Sequence, residues 1–302
     1  MAGGTVAAAF APAKLNLYLH ILGRRADGYH LIDSLVVFAD IGDHIAARAA
    51  ASLSLEIDGP EAPNLAGLGE DNLVLRAARL LAEQTGVRTG AALQLQKRMP
   101  VASGIGGGSS DAAAALRALI ALWRVSIGEE SLRRLGARLG ADVPACLHAA
   151  PCWVGGIGEE IEPASPLPAA GILLANPRIA LPTAAVFAAH RARSGDIEKF
   201  GDPGRFAPMP RDAASLAGVL SLRRNELTDA AIGCLPEIAV VLAALARLPG
   251  ALLARMSGSG ATCFALFADR AAAEHARTRL AAAEPGWWCA AGGFVAGGRL
   301  SR

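Results

Sequence analysis

Through KLNLYLHI, residues 14–21, apolar and polar side chains alternate without a break. Leu15, Leu17, Leu19 and Ile21 share one face; Lys14, Asn16, Tyr18 and His20 share the other. A period of two marks a strand with one face in a core. The pattern predicts extended chain over residues 5–22, with a polar face free to line a cleft. Asp27-Gly28 in the following GRRADGYH signals a turn. SLVVFADI, ASLSLEID and AALQLQKRMP read as further strands.

The period then lengthens. DNLVLRAARLLAEQTG predicts a helix with Asp71 or Asn72 as N-cap and Gly86 as stop. SDAAAALRALIALW predicts a second helix starting at Ser109-Ser110, and ESLRRLGARLG a third ending at Gly140. ADVPACLHA reads as a tight corner into a helix with Pro144 in its first turn. CWVGGIGEEIE is glycine-punctuated extended chain, and the second half begins there. AGILLANP predicts a strand, and NELTDAAIGCLPEIAVVLAALARLPG a helix interrupted near Pro236. ALLARMSGSGATCFALF predicts strand, glycine turn, strand; DRAAAEHARTRLAAAEPG a helix; WWCAAGGFVAGG a closing strand. Residues 193–214, rich in proline, glycine and mixed charge, read as an exposed loop. Strands and helices without regular alternation point to the α+β class. The 302 residues suggest two domains, divided as 1–155 and 156–302.

Composition narrows the function classes. The net charge is +2 with acids and bases interspersed, and aromatic residues are few, which argues against a nucleic-acid partner. The most apolar run is broken by Arg247, Pro249 and Gly250, so no membrane span is expected. The start has no basic segment ahead of its small apolar residues and reads as a first strand rather than a leader. Five cysteines without a CxxC pair suggest free thiols, hence a cytoplasmic protein. Cys146, His148 and Cys152 are close in sequence but lack a second ligand pair at zinc-finger spacing.

The candidate chemistry begins with PVASGIGGGSSDAAAAL, residues 100–116. Gly104, Gly106, Gly107 and Gly108 leave room for a ligand, and a helix start supplies unpaired amides and partial positive charge. Such a terminus binds phosphate without a lysine, although a flexible loop capped by serine has the same sequence signature. Neither GxxxxGK followed by Ser or Thr nor GxGxxG is present. A second glycine loop, Met256-Ser257-Gly258-Ser259-Gly260-Ala261, is either a plain hairpin turn or a substrate-facing one. Phosphoryl transfer also needs a cation on the γ-phosphate and a group to orient or deprotonate the acceptor hydroxyl. Lys14 is a candidate for the first, against a solvated strand lysine; Asp142 for the second, against a helix cap.

Taken together, PAKLNLYLHILGRRADGYH, PVASGIGGGSSDAAAAL and MSGSGATCFALF resemble the three motifs of the GHMP kinases, in order and over nearly the whole chain. DGYH, DNLVLRAARLL, GADVP and PTAAVF narrow the resemblance to the 4-diphosphocytidyl-2-C-methyl-D-erythritol kinase family within them. The resemblance implies a ribosomal-protein-S5-like N-terminal domain, a ferredoxin-like C-terminal domain and an active site in the cleft between them. It implies transfer of the ATP γ-phosphate to the 2-hydroxyl of a small cytidyl diphosphate substrate. Separately, a monomer or weak homodimer is expected. Asp142 would be the base, Lys14 would hold hydroxyl and γ-phosphate in register, and Asn16 would add a hydrogen bond at the same centre. ATP would lie on Pro100, Val101, Ala102, Ser103, Gly104, Ile105, Gly106, Gly107, Gly108, Ser109 and Ser110, with Asn72 on the adenosine side. Ser110 would ligate or neighbour Mg²⁺. Tyr29 and Phe187 would sandwich the cytosine and His30 would read its edge, with Ser257 and Gly258 also on the substrate side. PTAAVF has alanine where that family's pattern has a second proline, which loosens the expected placement of Phe187. Other GHMP small-molecule kinases, or a non-catalytic sensor of the same fold, are the alternatives.

Overall fold

β1 (Val6–Arg24) runs antiparallel to β2 (His30–Ala50), from Val6 opposite Arg48 to Arg24 opposite His30. These strands belong to a computed structural model that describes residues 6–65, 71–194 and 203–295. β2 is long enough to be shared. One edge carries β1, while the other carries β4 (Gly90–Gln96) near one end and β5 (Cys152–Gly155) near the other. β3 (Ser54–Asp58) lies parallel outside β4, and β6 (Glu160–Pro163) antiparallel outside β5, making a six-stranded sheet. The expected division at 155–156 falls inside the β5–β6 hairpin, so the first sheet continues to Pro163.

The alternation in β1 does not survive to its end. The register shifts between Asn16 and Tyr18, and an extra residue at a bulge changes which face the later side chains occupy. Tyr18, expected on the polar face, is fully buried among Leu15, Leu17, Leu35 and Trp153.

Four helices cover this sheet: α1 (Leu73–Thr85), α2 (Gly107–Trp123), α3 (Glu129–Leu139) and α4 (Val143–His148). Asn72 caps α1, accepting from the Val74 amide, and Gly86 closes it in the left-handed region at φ +71. α2 is buried along its alanine face, and small side chains let it lie close to the sheet. It starts at Gly107, with Gly106 as the left-handed N-cap, rather than at the serines. Glycine can take that φ and serine cannot without strain, so the serines fall inside the first turn.

The second sheet has the order β10-β7-β9-β8, all antiparallel, from β7 (Gly171–Asn176), β8 (Leu253–Met256), β9 (Cys263–Phe267) and β10 (Trp288–Gly293). α5 (Thr183–Ser194), α6 (Ala213–Ser221), α7 (Thr228–Cys234) and α8 (Glu237–Ala246) fill the first connection, and α9 (Arg270–Ala283) the last. The resulting connection is the ferredoxin-like one expected. Of the expected exposed loop at 193–214, residues 195–202 lie outside the described residues. Residues 203–212 are the expected loop and mostly exposed, but the loop is anchored and ends earlier than expected. Gly204 donates to Asp33 Oδ2 at 2.6 Å, the Phe206 ring meets Trp153 edge-on at 5.3 Å, and Ala213 already begins α6. A third core combines Leu15, Leu17 and Leu35 of the first sheet with Ile172, Phe264 and Leu266 of the second. Among the described residues no helix is long and apolar enough to cross a membrane.

Candidate active site

Lys14 and Asp142 are brought together from 128 residues apart, with Nζ to Oδ1 at 2.6 Å. Asp142 occupies the N-cap position of α4, yet its side chain makes no capping bond there. The lysine has taken it. Lys14 is buried, whereas the Asp142 side chain is 45% exposed, which leaves its second oxygen open to a ligand. Burial opposes charge on Lys14, but the neighbouring carboxylate outweighs it and holds the ammonium above the usual 10.5. Cys146 and Cys152 lie close by as neutral thiols, pushed up to about 12 by burial.

The glycine loop between β4 and α2 lies directly on this pair. The Lys14 amide donates to Ile105 O at 2.9 Å, so β1 and the loop share a backbone bond. At Gly106 a Cβ would come within 3.0 Å of the Lys14 Cβ. The first-turn amides of α2 have no intrahelical acceptor and point out of this end of the helix, beside the lysine. Within the loop, Ser103, Ile105 and Ser110 are framework: all three are buried, and Ser103 Oγ donates to Pro100 O at 2.7 Å. Ala102 and Gly108 are exposed.

Two of the expected ligands change role. Ser110 N donates to Gly106 O inside the helix, and Ser110 Oγ donates to Pro12 O at 2.7 Å with the residue fully buried. Of the two expected places, on a metal or beside it, full burial argues against the first only. Ser257 is also fully buried, accepting from the Asn16 amide and donating to Gly104 O, each at 3.2 Å. It fastens the site rather than lining it. Asn72 Oδ1 is spent on the α1 cap, 2.9 Å from Val74 N. The second glycine loop interlocks with the first: a Cβ on Gly104, at φ +74, would lie 2.5 Å from Gly260 O, and one on Gly258 2.7 Å from Gly104 O.

Beneath the first glycine loop is a charged group that sequence reading missed. Lys97, at the end of β4, reaches Asp43 Oδ2 at 2.6 Å and Asp111 Oδ2 at 2.8 Å, all three residues buried. A Cβ on Gly107 would sit 3.2 Å from its Nζ. A cation thus underlies the helix start that lacks a motif lysine. Burial pushes the Asp111 carboxyl up to about 7 despite the pull of Lys97, with Asp43 adding to the rise. Local sequence gave no sign of the trio, because its members are separated by a strand and a loop.

The expected base-reading residues divide. His30, buried at the start of β2, meets Phe187 of α5 at 5.2 Å between ring centroids, across the two domains, and His190 at 5.8 Å. Burial, then each other's proximity for His30, holds both imidazoles below the ordinary 6.5. Tyr29 stands on the turn, 59% exposed. α5 is tied to the second glycine loop through Thr183 Oγ1 and Ser259 Oγ, 2.9 Å apart. The helix places Phe187 beside His30 without the missing proline.

The GHMP kinases N terminal domain model matches residues 72–150, and the GHMP kinases C terminal model residues 207–286. A 4-diphosphocytidyl-2-C-methyl-D-erythritol kinase of Paramagnetospirillum magneticum is 54% identical, covering 93% of this chain and 95% of its own. One from Cereibacter sphaeroides is 52% identical, covering 93% and 97%. A crystal structure of 4-(cytidine 5'-diphospho)-2C-methyl-D-erythritol kinase superposes with a TM-score of 0.76 at 32% identity, over 96% of this chain and 100% of that one. A mevalonate kinase from Methanococcus jannaschii, at TM-score 0.70 and 11% identity over 98% and 99% of the two chains, shares the fold. With two GHMP domains and about half its residues shared with these relatives, the chain belongs to the 4-diphosphocytidyl-2-C-methyl-D-erythritol kinase family of GHMP kinases.

Proposed function

We propose that this chain transfers the γ-phosphate of ATP to the 2-hydroxyl of 4-diphosphocytidyl-2-C-methyl-D-erythritol. The observation that carries the reading is the Lys14–Asp142 pair beside the α2 terminus. A base and a cation there meet the place where a helix end holds phosphate. Asp142 takes the hydroxyl proton, the oxygen attacks phosphorus, and the bond to the β-phosphate oxygen breaks, releasing ADP. Lys14, held charged by Asp142, stabilises the negative charge shared between attacking oxygen and γ-phosphate. The α2 amides hold the nucleotide phosphates, and the His30–Phe187 pair meets the cytosine, stacking on it and reading its edge.

The described residues contain no group of three or more His, Cys, Asp or Glu placed to hold a metal, and Ser110 is committed to Pro12. Magnesium would therefore be held chiefly by the nucleotide phosphates, whose charge it would help to neutralise. All the residues invoked come from one chain. The test is an ADP-release assay offering the cytidyl alcohol, mevalonate and homoserine in turn. Turnover confined to the cytidyl alcohol is expected; turnover of mevalonate or homoserine in its place overturns the reading.

A further inference from the structure

Beside the bulge in β1, Ser34 of β2 donates to the Tyr18 carbonyl, Oγ to O at 2.5 Å. Ser34 is fully buried, and its hydroxyl has one proton. With that proton given to Tyr18, Ser34 can only accept from its other neighbour, the Asn16 side chain, 2.8 Å away. This fixes the orientation of the Asn16 amide. The NH₂ group faces Ser34, and the oxygen faces away from it. Asn16 is 2% exposed, and its Oδ1 has no hydrogen-bond partner among the described residues. A Cβ on Gly258 would lie 3.5 Å from that oxygen, so the glycine is what keeps the space beside it clear. A buried acceptor with nothing to accept is costly, and it marks a place where a ligand donor belongs.

We infer that Ser34 is a positioning residue that locks Asn16 as a hydrogen-bond acceptor for a second substrate hydroxyl, adjacent to the one that reacts. The inference rests on the proposed reaction. The reacting hydroxyl has a single proton, and that proton goes to Asp142. It has none left for Asn16 Oδ1 to accept, and Ser34 holds one of the two N–H groups on the other side of the amide. The donor to Asn16 Oδ1 is therefore a different hydroxyl, close enough to be reached from the same strand. The site selects a polyol rather than a lone alcohol, and the selection is set by Ser34, which touches no substrate. It sharpens the expectation that Asn16 bonds the reacting centre itself.

The test crosses enzyme variants with substrate analogues. Wild type and Ser34→Ala are assayed with the cytidyl alcohol and with two analogues, each lacking one of the hydroxyls adjacent to the reacting one. For wild type, one analogue is expected to lose roughly 10- to 100-fold in kcat/KM, the effect of an unpaired buried acceptor. Ser34→Ala should lose a similar factor on the full substrate, almost nothing further on that analogue, and leave the KM for ATP unchanged. Ser34→Thr should restore the wild-type pattern. If Ser34→Ala does not fold, the comparison is made with Asn16→Ala, whose penalty should vanish on the same analogue. Equal penalties on all three substrates, or a wild type indifferent to both missing hydroxyls, overturn the inference. A wild type that turns over none of the three overturns the proposed reaction instead.

Discussion

At Asp142 two ordinary roles compete. A residue before a helix tends to cap it, and a carboxylate beside an ammonium tends to pair with it. The structure gives the side chain to Lys14 and leaves the α4 amides uncapped, so Asp142→Asn removes a base without removing a cap. The expected result is a kcat lower by about 100- to 10,000-fold with nucleotide affinity retained. Turnover and nucleotide titration of the same preparation check it. His30 supplies a pH prediction. Its folded-state pKa is depressed below 6.5, so any stability it contributes is present above 6.5 and lost as pH falls through the lower folded value. The KM for the cytidyl substrate should stay flat down to pH 6.5 and rise only below it. A KM that already rises above 6.5 contradicts a neutral His30. Lys14 and Asn16 were legible as a pair because strand alternation puts them on one face. Tyr18 was misplaced by the same rule, since a one-residue bulge leaves no local mark in sequence. Ser110 stayed ambiguous because a hydroxyl at a helix start suits an anion site, a metal site or a neighbouring carbonyl equally well.

The two glycine loops form a single interlocked element. Gly104 sits at φ +74 against the backbone of Gly260, and both adjoin the Ser257 clasp. Gly104→Ala costs about 1–3 kcal/mol in backbone conformation alone, and the collision with Gly260 O adds to it. A lowered melting temperature and a raised KM for ATP are expected together; a shift in only one would separate the loops. The Lys97 trio beneath them makes a second prediction. Asp111 has a folded-state pKa raised from 3.8 to about 7, so its contribution is favourable below 3.8 and is lost as pH rises through about 7. Asp111→Asn removes that loss while keeping the shape. Urea denaturation should find the variant gaining stability relative to wild type as pH rises across this range. An unchanged difference at the two ends would contradict it. Helix and strand positions were readable because apolar period and caps are local properties. The α2 start was read two residues late, since glycine in the left-handed region replaced the serine cap the sequence suggested. α6 was missed because its cap, Asp212, follows a run of prolines and glycines that reads as loop.

Two domains with separate cores would by themselves unfold in two steps. Three features couple them. The third core takes Leu15, Leu17, Leu35 and Trp153 from one sheet and Ile172, Leu174, Phe264 and Leu266 from the other. The chain crosses back at its far end, where Val295 N donates to Phe38 O at 2.7 Å. Arg255 of β8, buried without a carboxylate partner among its described bonds, donates to Leu17 O in β1 and to Leu220 O and Arg223 O at the end of α6. Burial lowers its pKa to about 10, still well above neutrality, so the cation persists and its three carbonyls hold strand and helix end together. None of this was legible beforehand. An apolar position announces that it is buried but not which sheet covers it, and the expected cut at 155–156 ignored the hairpin across it. The expected outcome is one cooperative transition. Trp153 lies in the first sheet and Trp288 in the second, so Trp153→Phe and Trp288→Phe leave reporters weighted to opposite domains. Their fluorescence midpoints in urea should each coincide with the circular-dichroism midpoint of the same variant. Arg255→Met removes the three carbonyl bonds but fills similar volume. Each carbonyl left bare costs about 1–3 kcal/mol. If the domains are coupled through that side chain, the variant's two optical probes should separate into distinct midpoints. Separate midpoints in the parent protein would instead mean that the shared core is too weak to make the domains fold as one.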